Sequence, residues 1–379
     1  MSNFKKFCID GGPCSGKTTL LSILIEKMIK LGFIPVMVPE AATLLITNGI
    51  NPKNRQMIPF QKEIVAMQIN NEDFFKRNAL EIAKNLQLPP VMFCDRGILT
   101  GAAYLPGIGG DGYFYEKVLK DFGLKIEKVR VRYDAVIHMV TAADGAEEFY
   151  TLSNNNARTE TAEEARALDK KTQDVWVGHP HLRVIPNVDI HGNKITFEQK
   201  INNVIAEVLS VLGYPIPLEI EEKYVLKTFD KKVLTDLGIK CEGINIEQTY
   251  LVNENPLITE RVRKRTYLGS SSYFHTVKMD SPENGGRVEI DHPISKSEYY
   301  ALLLRRDLTR HTIYKVRYCF LWKNQYFEVD VFSGHNKGLV LLEREKTNVN
   351  ESTFLPDFLQ IEKDVTNDKK YSNAMLALN

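Results

Sequence analysis

Lys17, Thr18, Glu40, Asp95 and Arg158 are residues of the types that move a phosphoryl group, and their settings make that chemistry concrete. Gly11-Gly12-Pro13-Cys14-Ser15-Gly16-Lys17-Thr18-Thr19 satisfies the pattern G-x-x-x-x-G-K-S/T. In such a loop successive main-chain N–H groups turn inward around a polyphosphate. The lysine sits on the outer phosphates, and the next hydroxyl ligates the Mg²⁺ that accompanies them. A helix beginning near Lys17 adds unpaired N–H groups and the positive end of its dipole. A glycine turn could match this pattern by accident, but the flanks argue otherwise. Apolar Phe7-Cys8-Ile9 precedes the loop, and Leu20, Leu21, Leu24, Ile25 and Met28 follow at helical spacing. The spacing predicts a site for Mg²⁺ with ATP or GTP.

The elements around this loop must place the other groups. Further short apolar runs read as strands at residues 32–38, 91–94, 136–140 and 182–185, with helices at about 57–86, 113–121, 161–177 and 196–212. Strands alternating with helices predict a parallel sheet covered on both faces. Ligands of such sheets gather at the carboxyl ends of the strands, where Gly11, Glu40 and Asp95 all fall. Asp95 could hold the Mg²⁺ shell or orient an attacking hydroxyl or water, and Glu40 could act as general base. Either could instead cap the following helix. Arg158, in a polar segment, and Arg166 could close over phosphates or simply be solvated. Asp169, Lys170 and Lys171 read as surface charge, and His179 and His181, flanking Pro180, are too few for a metal site.

Length and composition set the bounds. A chain of 379 residues suggests two domains. Its apolar fraction of 43% and charged fraction of 26% are those of a soluble globular protein, and a net charge of +1 exerts no global pull on nucleic acid. Five scattered cysteines without C-x-x-C spacing fit a reducing compartment. With no signal-peptide pattern and no apolar run long enough to span a bilayer, the expectation is a cytoplasmic protein whose membrane contact, if any, is peripheral.

Gly213-Tyr214-Pro215-Ile216-Pro217 reads as a linker, giving a nucleotide-binding domain at 1–213, a strand-rich domain at 218–366 and a loosely held tail at 367–379. In the strand-rich half, charges repeat with period two: Glu219, Glu221 and Lys223; Arg261, Arg263 and Arg265; Thr276 and Lys278; Lys315 and Arg317; Glu328 and Asp330; Glu343 and Glu345. Residues so spaced share one face of a strand. An outward polar face explains any single strand. Several together suggest a closed antiparallel barrel with a charged interior, holding phosphates on the basic walls and Mg²⁺ on the acidic ones.

The first half resembles P-loop kinases of the nucleoside and nucleotide type, on its phosphate loop, Pro39-Glu40 and Asp95-Arg96, and within that group the AAA-type ATPase-like domains. Asn193-Lys194-Ile195-Thr196 is not the Asn-Lys-x-Asp of a Ras-like switch, and Asp95-Arg96-Gly97-Ile98 is not its Asp-x-x-Gly; this disfavours such a switch without removing GTP. The second half, over about 218–346, resembles the CYTH or triphosphate-tunnel family on Glu219-x-Glu221-x-Lys223, Glu260 to Arg265, Thr276-x-Lys278 and Glu343-x-Glu345. That resemblance implies phosphate contacts from Lys223, Arg261, Arg263, Arg265, Lys278, Arg306, Arg310, Lys315 and Arg317, and metal ligation by Glu219, Glu221, Glu343 and Glu345. The two halves together resemble the TRPL-translocation-defect protein family. This likeness implies binding of GTP and a phosphoinositide headgroup, with a role in membrane-protein traffic. Plant tunnel proteins fused to a kinase-like domain are the other two-domain relatives, and imply triphosphatase activity.

Overall fold

The computed structural model describes residues 4–52, 56–105, 113–150, 161–189, 191–214, 220–255, 257–281, 286–346 and 351–378. The chain divides into two compact units, Met1–Val208 and Leu209–Asn379.

In the first unit, β1 (Lys5–Gly11), β2 (Ile34–Val38), β3 (Pro90–Asp95), β4 (Ala135–Met139) and β5 (Leu182–Ile185) form a sheet in the order β2-β3-β1-β4-β5. Every neighbouring pair is parallel. The strands are continuous apolar runs because both faces are covered; Phe7, Cys8, Ile9, Met92, Phe93, Val136 and Ile137 are all fully buried. The cover comes from α1 (Lys17–Lys30), α2 (Ala41–Thr47), α3 (Met57–Leu86), α4 (Tyr113–Lys120), α5 (Ile126–Arg130), α6 (Ala162–Asp174) and α7 (Phe197–Leu212), with a 3₁₀ turn at Ile98–Tyr104.

The 30 residues of α3 run unbroken because its one proline, Pro59, lies in the first turn, where a missing N–H does no harm. Its inner face buries Glu72 completely. That carboxylate accepts from Lys6 Nζ at 2.6 Å, Arg132 Nε at 2.6 Å, Tyr133 OH at 2.7 Å and Gln68 Nε2 at 3.0 Å. A buried charge is tolerated only with such full pairing, and the cluster pins α3 against β1. Among the described residues, no helix is long and apolar enough to cross a membrane.

The second unit is an antiparallel sheet of β6 (Ile220–Leu226), β7 (Cys241–Leu251), β8 (Ile258–Tyr267), β9 (Ser270–Ser281), β10 (Gly286–Ile294), β11 (Ile313–Trp322), β12 (Gln325–Ser333), β13 (Val340–Lys346) and β14 (Ile361–Asp364). The strand order is β10-β9-β8-β7-β11-β12-β13-β6-β14. Three short helices accompany it: α8 (Lys232–Asp236), α9 (Lys296–Leu303) and α10 (Asn373–Leu376). Tyr224, Leu226, Phe320, Phe327, Val329 and Leu342 form an apolar core with Leu234 and Leu359 on one side of the sheet. Period-two alternation sends the charged residues to the other side. The described pairings run from β10 to β14 as an open series, so the expected closure into a barrel is not among them.

Residues 367–378, expected as a loose tail, are instead packed onto the sheet. Ala377 is fully buried in a cluster with Tyr250, Ile313, Phe332, Leu341 and Val365. Its carbonyl accepts from His311 N at 2.7 Å. Arg310 Nη1 donates to Ala374 O at 2.6 Å, and Asn336 Nδ2 to Leu376 O at 2.8 Å. The stretch reads as polar, but a few small apolar residues behind the Ser372 cap suffice to seat it.

Candidate functional site

The phosphate loop leaves the end of β1 at the middle of the first sheet. Gly11 has φ +151, and a Cβ there would lie 2.3 Å from Met139 O. Gly16 has φ +88, and its Cβ would lie 2.4 Å from the Phe197 ring. Both positions therefore require glycine. Leu20 N donates to Gly16 O at 3.0 Å, which starts α1. Lys17 Nζ folds back over the loop, donating to Gly11 O at 2.8 Å, Gly12 O at 3.1 Å and Ser15 Oγ at 3.2 Å. Burial lowers the Lys17 pKa, and the nearby Arg96 adds to the effect. Thr18 and Thr19 stand exposed at the start of the helix.

Around the loop, the ends of β2 and β3 bring Glu40, Asp95 and Arg96 together. Arg96, held at φ +67, places Nε 2.7 Å from Glu40 Oε1 and Nη1 3.3 Å from Asp10 Oδ1. Glu40 stands at the start of α2 but makes no side-chain cap with its backbone; it accepts instead from Thr43 Oγ1 at 2.9 Å. Burial alone would raise the Glu40 pKa, yet Arg96 and Lys17 hold it below the ordinary value. Asp95 is pushed the other way, upward, chiefly by burial. Its Oδ1 is shielded from solvent and has no hydrogen-bond partner. Arg158 lies outside the described residues.

Two carboxylates behind the loop escaped the sequence reading. Asp10 is fully buried. Its Oδ1 accepts from Gly11 N at 2.8 Å, and its Oδ2 from Thr100 Oγ1 and Trp176 Nε1, each at 2.6 Å. Asp169, read as surface charge, is buried. Its Oδ1 accepts from Gly12 N at 2.7 Å and Thr141 N at 3.2 Å and lies 3.1 Å from His138 Nε2, while Oδ2 accepts from Gln173 Nε2 at 3.0 Å. Burial would raise its pKa, but the buried His138 holds it down. The available signal was weak: Ala165, Asp169, Thr172 and Gln173 recur at helical spacing and form the buried face of α6 without one large apolar side chain.

In the second unit, strand register gathers the charged rows on one face. Glu345 pairs across from Glu221, Glu343 from both Lys223 and Glu328, and Arg317 from Asp330. Farther along the sheet, Arg261 lies across from Thr276, and Lys278 from Glu289. These groups are withdrawn from solvent: Arg265 is 1% exposed, Glu343 2%, Lys315 4% and Arg261 7%. Six described cations of the set meet carboxylates. Lys223 Nζ lies 2.9 Å from Glu343 and 3.1 Å from Glu221. Arg317 lies 2.7 Å from Asp330 and from Glu343, and also pairs with Glu328, while Lys315 pairs with Asp330. Arg261 and Lys278 both reach Glu289 at 2.7 Å, and Arg263 reaches Asp291 at 2.8 Å.

The protonation equilibria follow these pairings. Burial opposes the charge on Lys223, but Glu343 and Glu221 raise its pKa. Glu343 is held well below the carboxylate range by Lys223, Lys315 and Arg317 despite its burial. Burial prevails at Lys315 and Arg263, which are lowered, and at Glu328, which is raised.

Arg306 does not join the rows; it lies exposed after α9. Arg310 sits 5.3 Å from the centre of the Tyr250 ring and is engaged by Asp307 at 3.1 Å and by Ala374 O. Glu345 is exposed and Glu219 lies outside the described residues. Among the described residues, no group of three or more His, Cys, Asp or Glu is arranged to hold a metal ion.

Residues 6–191 match a family model described as an AAA domain, and the first unit is an AAA-like P-loop domain. The chain is 30% identical over 162 residues to an inorganic triphosphatase of Nitrosomonas europaea, spanning 42% of this chain and 97% of the relative. It is also 30% identical over 161 residues to an inorganic triphosphatase of Acetivibrio thermocellus, spanning 42% of this chain and 94% of that protein. The chain belongs to the family of these triphosphatases. A crystal structure of an inorganic triphosphatase matches 42% of this chain and 95% of its own at 27% identity, with a TM-score of 0.31. A thymidylate kinase from Ehrlichia chaffeensis matches 55% of this chain and 98% of its own at 18% identity, with a TM-score of 0.35.

Proposed function

We propose that the first unit binds Mg²⁺ with ATP or GTP on the loop Gly11–Thr19 and hydrolyses the nucleotide or transfers its γ-phosphoryl group. The observation that carries this reading is Asp95 Oδ1, a solvent-shielded carboxylate oxygen without a partner at the mouth of a glycine loop. A donor of that kind, beside the Thr18 hydroxyl, fits a hard cation. Thr18 and Asp95 would hold the Mg²⁺, which neutralises phosphate charge. Lys17 and the loop N–H groups stabilise the charge that develops on the phosphoryl oxygens. Glu40, kept ionised and oriented by Arg96, accepts the proton of the attacking hydroxyl or water. Arg158 is the residue that closes over the phosphates in this reading. The test is calorimetric: Lys17→Ala should abolish Mg–nucleotide binding while the far-UV spectrum stays unchanged. Unaltered affinity in that variant would remove the assignment.

A second phosphorylated ligand belongs to the second unit. Support comes from the buried face of Lys223, Arg261, Arg263, Arg265, Lys278, Lys315 and Arg317, and from kinship with triphosphatases. In this reading the face lines a tunnel that takes a triphosphate or a phosphoinositide headgroup, with Arg310 at its end. Glu221 and Glu343 are engaged by Lys223, so the donor set as it stands does not fit a metal ion there. Phosphate release from tripolyphosphate that persists in Lys17→Ala but is lost in Glu221→Ala would assign hydrolysis to this unit. Equal sedimentation of wild type and Arg263→Ala with phosphoinositide vesicles would count against the headgroup, and with it a regulatory role in membrane-protein traffic.

A further inference from the structure

Asp169 on α6 and Trp176 just beyond its end reach the first two amides of the phosphate loop, one directly and one through a relay. Asp169 Oδ1 accepts from Gly12 N at 2.7 Å. Trp176 Nε1 donates at 2.6 Å to Asp10 Oδ2, and Asp10 Oδ1 accepts from Gly11 N at 2.8 Å. The approach of α6 is close. A Cβ on Gly12 would lie 2.5 Å from Asp169 Oδ1 and 2.8 Å from Asp169 Cβ, so the missing side chain is what admits the carboxylate.

The first contact bears on Lys17. A trans peptide points its N–H and its C=O in opposite directions. Turning Gly12 N–H toward Asp169 therefore turns Gly11 O the other way, and Gly11 O accepts from Lys17 Nζ at 2.8 Å. Asp169 is itself immobilised. It also accepts from Thr141 N and Gln173 Nε2 and adjoins His138 Nε2, and four such partners fill a carboxylate. The Nδ1 atom of the buried His138 has no hydrogen-bond partner, so the bond at Nε2 is what orients that ring.

The second contact ends on a chromophore. Trp176 is fully buried, its ring 5.5 Å from that of Tyr133 in an edge-on arrangement. A Cβ on Gly97 would lie 2.8 Å from the indole. Gly97 directly follows Asp95 and Arg96, so the ring rests on the turn that carries the proposed Mg²⁺ carboxylate, while its N–H is tied to the loop through Asp10. Indole emission responds to the hydrogen bond at Nε1 and to the local field. The chain has two tryptophans, and the other, Trp322, belongs to β11 of the second unit.

We propose that Asp169 is a positioning residue for Lys17, acting through the Gly11–Gly12 peptide, and that Trp176 is a positioning residue for the Gly11 amide, acting through Asp10, so that occupation of the loop is registered at the indole. The inference rests on the nucleotide site proposed above. Neither side chain touches the phosphates; each fixes a peptide that does the work.

The test uses the full chain with non-hydrolysable Mg–ATP and Mg–GTP analogues, affinity being read by calorimetry and the indole by emission. Saturating analogue should change the emission of the wild type and leave that of Trp176→Phe, which keeps Trp322, unchanged. Asp169→Ala should weaken the analogue at least about tenfold, the worth of one hydrogen bond to a charged group. Asp169→Asn should recover most of that loss, because its carboxamide oxygen still accepts from Gly12 N while Gln173 turns its own amide over. Trp176→Phe should weaken binding about threefold, the scale of one ordinary hydrogen bond, since Thr100 still holds Asp10; this variant carries the affinity test should Asp169→Ala fail to fold. The proposal is overturned if the analogue binds the wild type without changing its emission, or if the change persists in Trp176→Phe. It is equally overturned if Asp169→Ala or Trp176→Phe binds as the wild type does, or if Asp169→Asn binds as poorly as Asp169→Ala. Failure of the wild type to bind either analogue overturns the loop reading itself, and this inference with it.

Discussion

The two units present anion-binding groups in opposite ways. In the first, the donors are main-chain N–H groups fixed by a tight turn, with Lys17 as the mobile charge and Asp10 and Asp169 holding two amides from behind. In the second, the donors are long side chains on separate strands, and Lys223, Arg261, Arg263, Lys278, Lys315 and Arg317 are each already paired with a carboxylate. The first site is preorganised by its backbone. The second is an internal salt-bridge network, and a phosphate proposed to bind there would enter by exchange, taking Arg261 and Lys278 from Glu289 or Arg263 from Asp291. The contrast implies that the first site depends on one residue for its ligand, and the second on several for its fold.

The largest effect expected from this contrast is on stability. Arg317→Met strands Asp330, Glu328 and Glu343 without their shared cation, and breaking a buried pair from one side costs about 3–5 kcal/mol. Urea unfolding of the second unit should show that loss while nucleotide affinity at the first stays constant; a loss under about 1 kcal/mol would mean the network is wetter than its burial indicates. Next in size, Lys17→Ala should weaken Mg–nucleotide binding at least about a hundredfold, the scale of removing a principal charge-assisted contact. Tripolyphosphate affinity should be untouched, and a parallel loss would show that the sites are not independent. Arg263→Ala is expected to weaken tripolyphosphate roughly tenfold, the worth of one hydrogen bond to a charged group, with a loss in unfolding stability smaller than that of Arg317→Met because only Asp291 loses its cation. Wild-type affinity in that variant would take Arg263 out of the ligand set.

The smallest effect is a pH dependence. Lys200 Nζ donates to Val140 O and Asn187 Oδ1, both at 2.6 Å, and burial pushes its pKa down to about 7. Between that value and the ordinary lysine range the unfolded chain binds more protons than the folded one. Stability therefore rises on its account from about pH 7 toward about pH 9. Urea midpoints across that window should show the rise in wild type and a flatter profile in Lys200→Met. Identical profiles would mean that Lys200 keeps its charge when folded.

What could be read from the chain follows from the same contrast. The phosphate loop, the five parallel strands and the reach of α3 are local properties: a glycine pattern, apolar runs and a periodic stretch closed by Pro89-Pro90. Period-two spacing likewise put Arg261, Arg263 and Arg265 on one face. Pairing was hidden, because Lys223 meets Glu343 and Arg317 meets Asp330 only through strand register. Asp169 was misread because its helix buries polar residues, and hydrophobic patterning has no term for a buried carboxylate that finds backbone partners. The C-terminal stretch misled for a related reason: Ala377 is fully buried among residues from other strands, and nothing in its own neighbourhood announces that cavity.

The strand order of the second unit bears on how the chain is made. Among the described residues, β6 pairs with β13 and β14 and with no other strand, so this segment must wait for Val340–Lys346 and Ile361–Asp364 before it finds a neighbour. During translation its unsatisfied edge stays open to chaperones or to a neighbouring nascent chain. Stalled ribosome complexes released after Ser333 should therefore expose Ile220–Leu226 to rapid amide exchange, a vulnerability that vanishes once the last strands emerge.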